Sequence, residues 1–265
     1  MKKTRFSLNI IKIFMKNQMQ NRTNIILDIA NMVARCFIVF LLYAYIFKIQ
    51  GGTINGVDYK TTMWSMFMYF CIMTLNLRHL DNSIMSDVKS GNVEMFMNRP
   101  RSYLTLSFMR AVGQGLFSFV MISVIGAIIM IISIGVPSVN PVLFIPTLIL
   151  TLVLGQILAL FIYGLIGLLS FFIQDIRPLH WIVDKLIMVL GGSYLTISMF
   201  PKVMKIMAYA SPFGAINFAS STVYDSWNTN CYKMIGMQII WILVFGFILF
   251  FVYKKSKEKA MINGG

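Results

Sequence analysis

The sequence predicts an all-α integral membrane protein: six transmembrane helices, an N-terminal interfacial amphipathic helix, and short re-entrant helices between spans five and six. Three observations lead there. The 265 residues are 58% hydrophobic and only 12% charged, with a mean hydropathy of +0.76, whereas a soluble chain is usually about 25% charged. The charges are also segregated, since no Asp, Glu, Lys or Arg lies between Ala111 and Gln174. Finally, apolar runs near the length that a hydrocarbon core demands, about 20 helical residues, recur along the chain. Backbone at that depth must satisfy its own hydrogen bonds, so such runs are helices. None alternates with period two between turn signals, which disfavours a β-barrel.

Residues 1–23 form the lead. Phe6, Ile10, Ile13 and Phe14 recur at helical spacing, with Lys12 and Lys16 on other faces. That pattern suits a helix lying in the membrane interface; the alternative is a short solvated basic segment. The lead has no continuous apolar core and no small-residue cleavage site, so it does not read as a signal peptide. The six-helix bundle occupies 25–253 in a single domain. Its runs are Ile25–Phe47, Thr61–Leu77, Ala111–Ile134, Val142–Phe172, Leu179–Phe200 and Met234–Tyr253. The second is short unless extended through Leu80, the third starts as early as Leu104 on a wider reading, and the fourth is long enough to tilt. A basic tail follows over 254–265.

The net charge of +14 does not indicate nucleic acid as a partner, because the basic residues sit at segment ends. Lys2, Lys3, Arg5, Lys12, Lys16 and Arg22 precede the first run without an acid among them. Lys254, Lys255, Lys257 and Lys259 follow the last, beside Glu258. Basic flanks of apolar helices report topology and contact with anionic lipids. The lead, the Arg78–Arg101 connection and the tail hold most of the Lys and Arg, whereas Gly135–Pro141 holds none. Both termini are therefore expected in the cytoplasm. The glycosylation match Asn21-Arg22-Thr23 then faces the wrong compartment.

Enzyme motifs are absent. The chain has no GxxxxGK[ST], HExxH or GxSxG, so catalysis is not expected of it. Cys36, Cys71 and Cys231 make no CxxC pair and no disulfide framework. His79 and His180 lie far apart, without a second ligand at metal spacing, so no metal is expected and structural roles are the simpler reading.

The connection between spans two and three, within a coupling loop over 85–103, is the most informative polar stretch. It runs Asp87-Val88-Lys89-Ser90-Gly91-Asn92-Val93-Glu94-Met95-Phe96-Met97-Asn98-Arg99-Pro100. Val93, Met95, Phe96 and Met97 are odd choices for a solvated linker. A short helix from Gly91, ended by Pro100, would offer them to a partner's groove, with Glu94 and Arg99 at its flank. The other reading is that these groups dip into the headgroup layer. Gly91-Asn92-Val93-Glu94 with Met97-Asn98-Arg99-Pro100 resembles the loop signature of type-2 ABC exporter permeases. Leu190-Gly191-Gly192, Phe200-Pro201 and Ala210-Ser211-Pro212-Phe213 resemble that family's pattern between spans five and six, closest to the viologen or multidrug branch. Met97 stands where the family has Leu, a volume-tolerant exchange.

The resemblance implies a permease subunit of an ATP-driven exporter, in a bacterial plasma membrane, that moves a hydrophobic or amphipathic drug, peptide or lipid-like compound. Residues Gly91–Pro100 would be the coupling helix docking on a separate ABC ATPase present in two copies. ATP and Mg would be bound by that partner, with no cofactor on this chain. A second permease, identical or paralogous, would complete the path, with membrane lipids around it. The alternative is a non-transporting multispan protein such as an assembly scaffold or immunity factor.

Polar residues inside apolar runs are costly and therefore functional candidates. Arg35, Gln114, Gln156 and Tyr194 are the candidates for the path, with interhelical hydrogen bonding the commoner role for the glutamines. Asp28, near the cytoplasmic end of span one, reads as snorkelling. Ala30/Ala34, Ser123/Ala127 and Gly155/Ala159 are small-residue pairs expected at close helix contacts. The 21 methionines and 22 phenylalanines suit packing and lipid contact more simply than a drug pocket. Gly191, Gly192, Pro201, Ser211, Pro212 and Phe213 break the helix pattern between spans five and six. They are the expected outer gate, built on re-entrant helices; a loop lying on the headgroups is the alternative.

Overall fold

In a computed structural model the described residues are 2–20, 22–75, 77–93, 102–137, 139, 141–224 and 227–263. They are nearly all helical. The chain runs through α1 (Lys2–Gln20), α2 (Arg22–Ile49), a two-stranded hairpin of β1 (Thr53–Ile54) and β2 (Val57–Asp58), α3 (Tyr59–Met73), a 3-10 turn at Leu77–His79 and α4 (Leu80–Lys89). Then come α5 (Tyr103–Ser133), α6 (Pro141–Leu169), α7 (Arg177–Leu190), a 3-10 turn at Ile197–Met199, α8 (Lys202–Ala210), α9 (Pro212–Ala215), a 3-10 segment at Phe218–Val223 and α10 (Trp227–Asn263).

Among the described residues four stretches are long and apolar enough to cross a membrane: Ile29–Ile49, Tyr103–Ser133, Leu143–Leu169 and Thr229–Ala260. Their outer faces carry unburied apolar side chains, as at Phe37, Ile132, Leu243 and Phe247. A water-facing surface does not tolerate such bands, so the chain is a multi-pass membrane protein. Six spans do not emerge from length and composition. The predicted second and fifth runs are helices of 15 and 14 residues, short of the roughly 20 that a crossing takes. Each ends at an identifiable contact or turn. Helix α3 stops at Thr74, whose hydroxyl turns back to the Cys71 carbonyl at 2.7 Å. Helix α7 stops at Gly191, and Gly192 takes the left-handed φ of +91° that ends a helix.

Two segments outside the expected spans are more structured than loops. Asn55 and Gly56 both adopt positive φ, 52° and 78°, and close the β1–β2 hairpin, with Thr53 opposite Asp58 and Ile54 opposite Val57. An Asn-Gly pair between short strands is the turn chemistry for this geometry. Asp58 then caps α3 by accepting from the Thr61 amide at 3.2 Å. At the other end of the chain, the basic tail simply continues α10, and Lys259 lies 5.0 Å over the Phe172 ring.

The core has two main parts. One joins α2, α3 and α5 around Met63, Met66, Phe67 and Ile122. The other joins α4, α6, α7, α10 and the short helices around Ile84, Leu158, Leu168 and Ile187. Close packing depends on glycine. A Cβ on Gly115 of α5 would sit 1.8 Å from the Leu75 carbonyl oxygen, so the chain after α3 lies directly on α5. Helix α1 lies against α5 as well, with Gly113 meeting Ile11 and Phe14. Ile10, Ile11 and Phe14 are half-buried there, whereas Ile13 of the expected apolar face is 58% exposed.

Candidate functional site

The break between α3 and α4 organises the polar interior. Leu77–His79 turns the chain and α4 then runs across α6, where Gly167 leaves room for it: a Cβ there would lie 2.9 Å from the Ile84 Cβ and 3.1 Å from the Asp81 Cα. This places Arg78 and Asp81, one turn apart, opposite His180 and Asp184, one turn apart on α7. Asp81 has no exposed surface. Its Oδ2 lies 2.6 Å from His180 Nδ1 and its Oδ1 accepts from the Asn82 amide at 2.7 Å. Asp184 Oδ1 accepts from the Tyr163 hydroxyl at 3.4 Å, and its Oδ2 is 3.9 Å from the Arg78 guanidinium. The Tyr163 and His180 rings are 6.1 Å apart.

Burial pushes the Asp81 carboxyl above the ordinary carboxylate range, against the downward pull of His180. Burial first, then the neighbouring Arg78 and His180, push the His79 imidazole below its ordinary value. A second polar clasp closes the other end of α4. Asp87 accepts from the Tyr103 hydroxyl at 2.8 Å and lies 3.5 Å from Arg110, whose guanidinium is 5.6 Å over the Phe14 ring. Both ends of α4 are therefore tied down by charge, one to α7 and the other to the start of α5.

Cavities surround the break. One of about 230 Å³ is lined by Gln18, Thr74, His79, Arg110 and Gln114. Another of about 230 Å³ shares Thr74 and His79 with it and adds Asn31, Arg35, Tyr69 and Arg78. A small one of about 20 Å³ shares Arg78 and holds Gln156 and Tyr163. Three of the four path candidates from the sequence, Arg35, Gln114 and Gln156, thus meet around one helix break. Tyr194 does not line these cavities: it is 67% exposed, and its carbonyl accepts from the Tyr43 hydroxyl at 2.8 Å. The side chain of Asp28 lies outside the described residues.

Of the coupling candidates, Gly91 takes the left-handed φ of +72° just after α4, and a helix begins at Asn92. Val93 is 2% exposed and belongs to this chain's own core. Glu94, Met95, Phe96, Met97, Asn98, Arg99 and Pro100 lie outside the described residues.

The gate candidates gather around the short helices. A Cβ on Gly191 would lie 2.2 Å from Asn217 Nδ2, so α7 ends on the chain after α9. Pro201 precedes α8, and Ser211 caps α9 by accepting from the Gly214 amide at 3.1 Å. Pro212 is buried and Phe213 half-buried. Phe218–Val223 is buried throughout. Gly155 lets this segment approach α6, since a Cβ there would be 2.2 Å from the Ile216 carbonyl oxygen. Gln238 of α10 fastens it, donating to Thr151 at 3.0 Å and to Ala215 at 2.8 Å.

Sequence reasoning passed over Asp81, Asp184, Tyr163 and Gln238, and gave His180 only a structural role. A local signal existed for two of them: His180 and Asp184 are one turn apart inside an apolar run, and ionisable groups there are candidates by default. Among the described residues no group of three metal-ligating side chains forms. No protein-family model matches the chain, and no curated protein matches it.

Proposed function

We propose that this chain is the permease subunit of an ATP-driven exporter of the type-2 ABC kind. The observation that carries the reading is the order of elements: amphipathic α1 laid on α5, α4 leading through Gly91 into the family-like stretch to Pro100, and the broken short helices after Gly191 and Gly192. On this reading α3 and α7 are the second and fifth of six spans. Ten of the 15 residues of α3 are buried, and a helix enclosed by protein need not match the bilayer, because its neighbours satisfy the backbone beyond its end.

The mechanism is alternating access. ATP and Mg act on a separate ATPase, present in two copies, which docks on Gly91–Pro100. A second permease completes the path in a bacterial plasma membrane, with both termini cytoplasmic. Movement of the docked stretch reaches α4 first. The Asp81–His180 contact passes it to α7, and α7 ends against Asn217 in the short helices that form the outer gate. Nucleotide drives the change only through different affinity for the two states.

The test is purification of the tagged chain from its native membrane. An ATPase bearing a Walker A sequence is expected to co-purify, and Phe96→Asp should lose it while membrane insertion persists, since a charge buried at a docked interface is costly. Absence of any such ATPase from the wild-type preparation overturns the proposal.

A further inference from the structure

Arg35 is a charge set within an apolar helix. It lies in the interior of α2, in a stretch apolar enough to span a membrane. It is exposed, and among the described residues no side chain or backbone group pairs with it. An arginine in the interior of an apolar helix is costly to hold in a membrane. Such a group normally finds an anion or water.

The surroundings of Arg35 specify the ligand. The cavity of about 230 Å³ that it lines also receives Arg78 and His79, together with Asn31, Thr74 and Tyr69, and among the described residues no carboxylate lines it. Among the described residues the acid that pairs with this basic set is Asp184, which lies 3.9 Å from Arg78 and also acts on His79. The cavity therefore has positive charge to spare. Met32 also lines a second cavity of about 200 Å³ between α2, α3 and α5, walled by groups such as Val33, Phe37, Phe67 and Ile129 and nearly free of polar surface. A cationic chamber and an apolar groove thus share a wall.

We infer that this pair of cavities binds an acidic phospholipid, its phosphate between Arg35 and Arg78 and an acyl chain in the groove beyond Met32. Arginine suits the head because its planar donors match phosphate oxygens, and the surrounding low dielectric strengthens the contact. The groove supplies the rest through apolar burial. The inference adds a ligand class to the exporter reading. Because the test uses the chain without any ATPase, failure of either one leaves the other standing.

The experiment is native mass spectrometry of the purified chain in neutral detergent, with phosphatidylglycerol, phosphatidylcholine and inorganic phosphate as probes. The wild type is expected to retain one phosphatidylglycerol in preference to phosphatidylcholine. Arg35→Gln should weaken that retention roughly tenfold, the loss of one charge-assisted contact, and Arg35→Lys should restore part of it. Met32→Trp, which fills the shared wall, should weaken it with the charges intact. Lys48→Gln, at the far end of α2, should change nothing. Equal retention of the two lipids, or equal retention by wild type and Arg35→Gln, overturns the site. Full competition by inorganic phosphate alone overturns the role of the groove. Loss of a dimer in Arg35→Gln without loss of lipid assigns Arg35 to a contact between copies and overturns the proposal too.

Discussion

Removing His180 should be among the most damaging single changes in the interior. Asp81 has no exposed surface, and His180 is the side chain that meets its Oδ2, at 2.6 Å. His180→Ala leaves the carboxyl with the Asn82 amide alone. Breaking a buried pair by deleting one partner costs about 3–5 kcal/mol, because the other is stranded. Asp81→Asn removes the charge but keeps the shape and a hydrogen-bonding group, so it should cost about 1 kcal/mol, the net worth of one hydrogen bond. The double variant has no stranded carboxylate and should be more stable than His180→Ala alone, a rescue of about 2 kcal/mol or more. The assay is reversible unfolding in mixed micelles by titration with sodium dodecyl sulfate, comparing midpoints at constant slope. The pH dependence follows from the raised carboxyl. A group whose folded pKa is raised contributes stability that is complete below its unfolded value, about 4. That contribution is lost as pH rises through the folded value. Wild type should therefore fall relative to Asp81→Asn as pH increases from about 4. Additive losses in the double variant, with no rescue, would refute the buried pair.

Three further outcomes are expected. Gly115→Ala should cost more than the 1–3 kcal/mol typical of overpacking, since its Cβ would meet backbone at Leu75, whereas Gly236→Ala, with nothing within 4 Å, should gain about 0.5–1 kcal/mol of helix stability; the same detergent titration reads both. Asp175 is partly exposed and held at about 2 by the Arg177 guanidinium beside it, so what it contributes should be present above about pH 4 and fade as pH falls towards 2, and should vanish in high salt; Asp175→Asn measured across that range in low and high salt checks it. Single cysteines in a background without the native thiols should be shielded from an impermeant reagent in intact cells at Lys89 and Lys257 and labelled at Asn140; labelling at Lys257 would invert the topology.

The helices that face outward were legible because hydropathy sums over many residues, and α2, α5, α6 and α10 each carry enough apolar side chains to stand out. Their ends were harder. The predicted second run continues to Leu77 in composition, yet α3 ends at Met73 because the chain at Leu75 must lie flat on Gly115. That is a contact between residues distant in sequence, which no local pattern records. The predicted fifth run continues to Phe200, while α7 ends at Leu190; here Gly191 and Gly192 were visible as weak points, and the left-handed turn at Gly192 uses the freedom they offer. Val93 read as a surface residue because it sits in a polar connection, but α4 is short enough to bring it back to the core. Arg35, Gln114 and Gln156 were legible one at a time as polar exceptions. Their convergence on the Thr74–His79 break was not, since it depends on where α3 stops.

The polar interior follows from the same break. Between Ala111 and Gln174 the chain carries no ionisable Asp, Glu, Lys or Arg, so α6 and most of α5 offer a charge only neutral partners, the amides of Gln114 and Gln156 and hydroxyls such as that of Tyr163. A charge set among apolar helices must then find its partner on α4, on α7 or in the turn before α4. Asp81 finds His180 and Asp184 finds Arg78, each reaching across from one short element to another. Such pairs add little net stability over a well-packed apolar core, because desolvation offsets most of the attraction. What they fix is register: α4 meets α7 with Asp81 opposite His180, and a slip of one turn would strand a carboxylate. The two predicted spans that are too short to cross a membrane unaided, α3 and α7, are thus the two joined through this network, with cavities of about 230 Å³ beside it. A continuous helix through 74–79 would remove the break, the space and the pairing together.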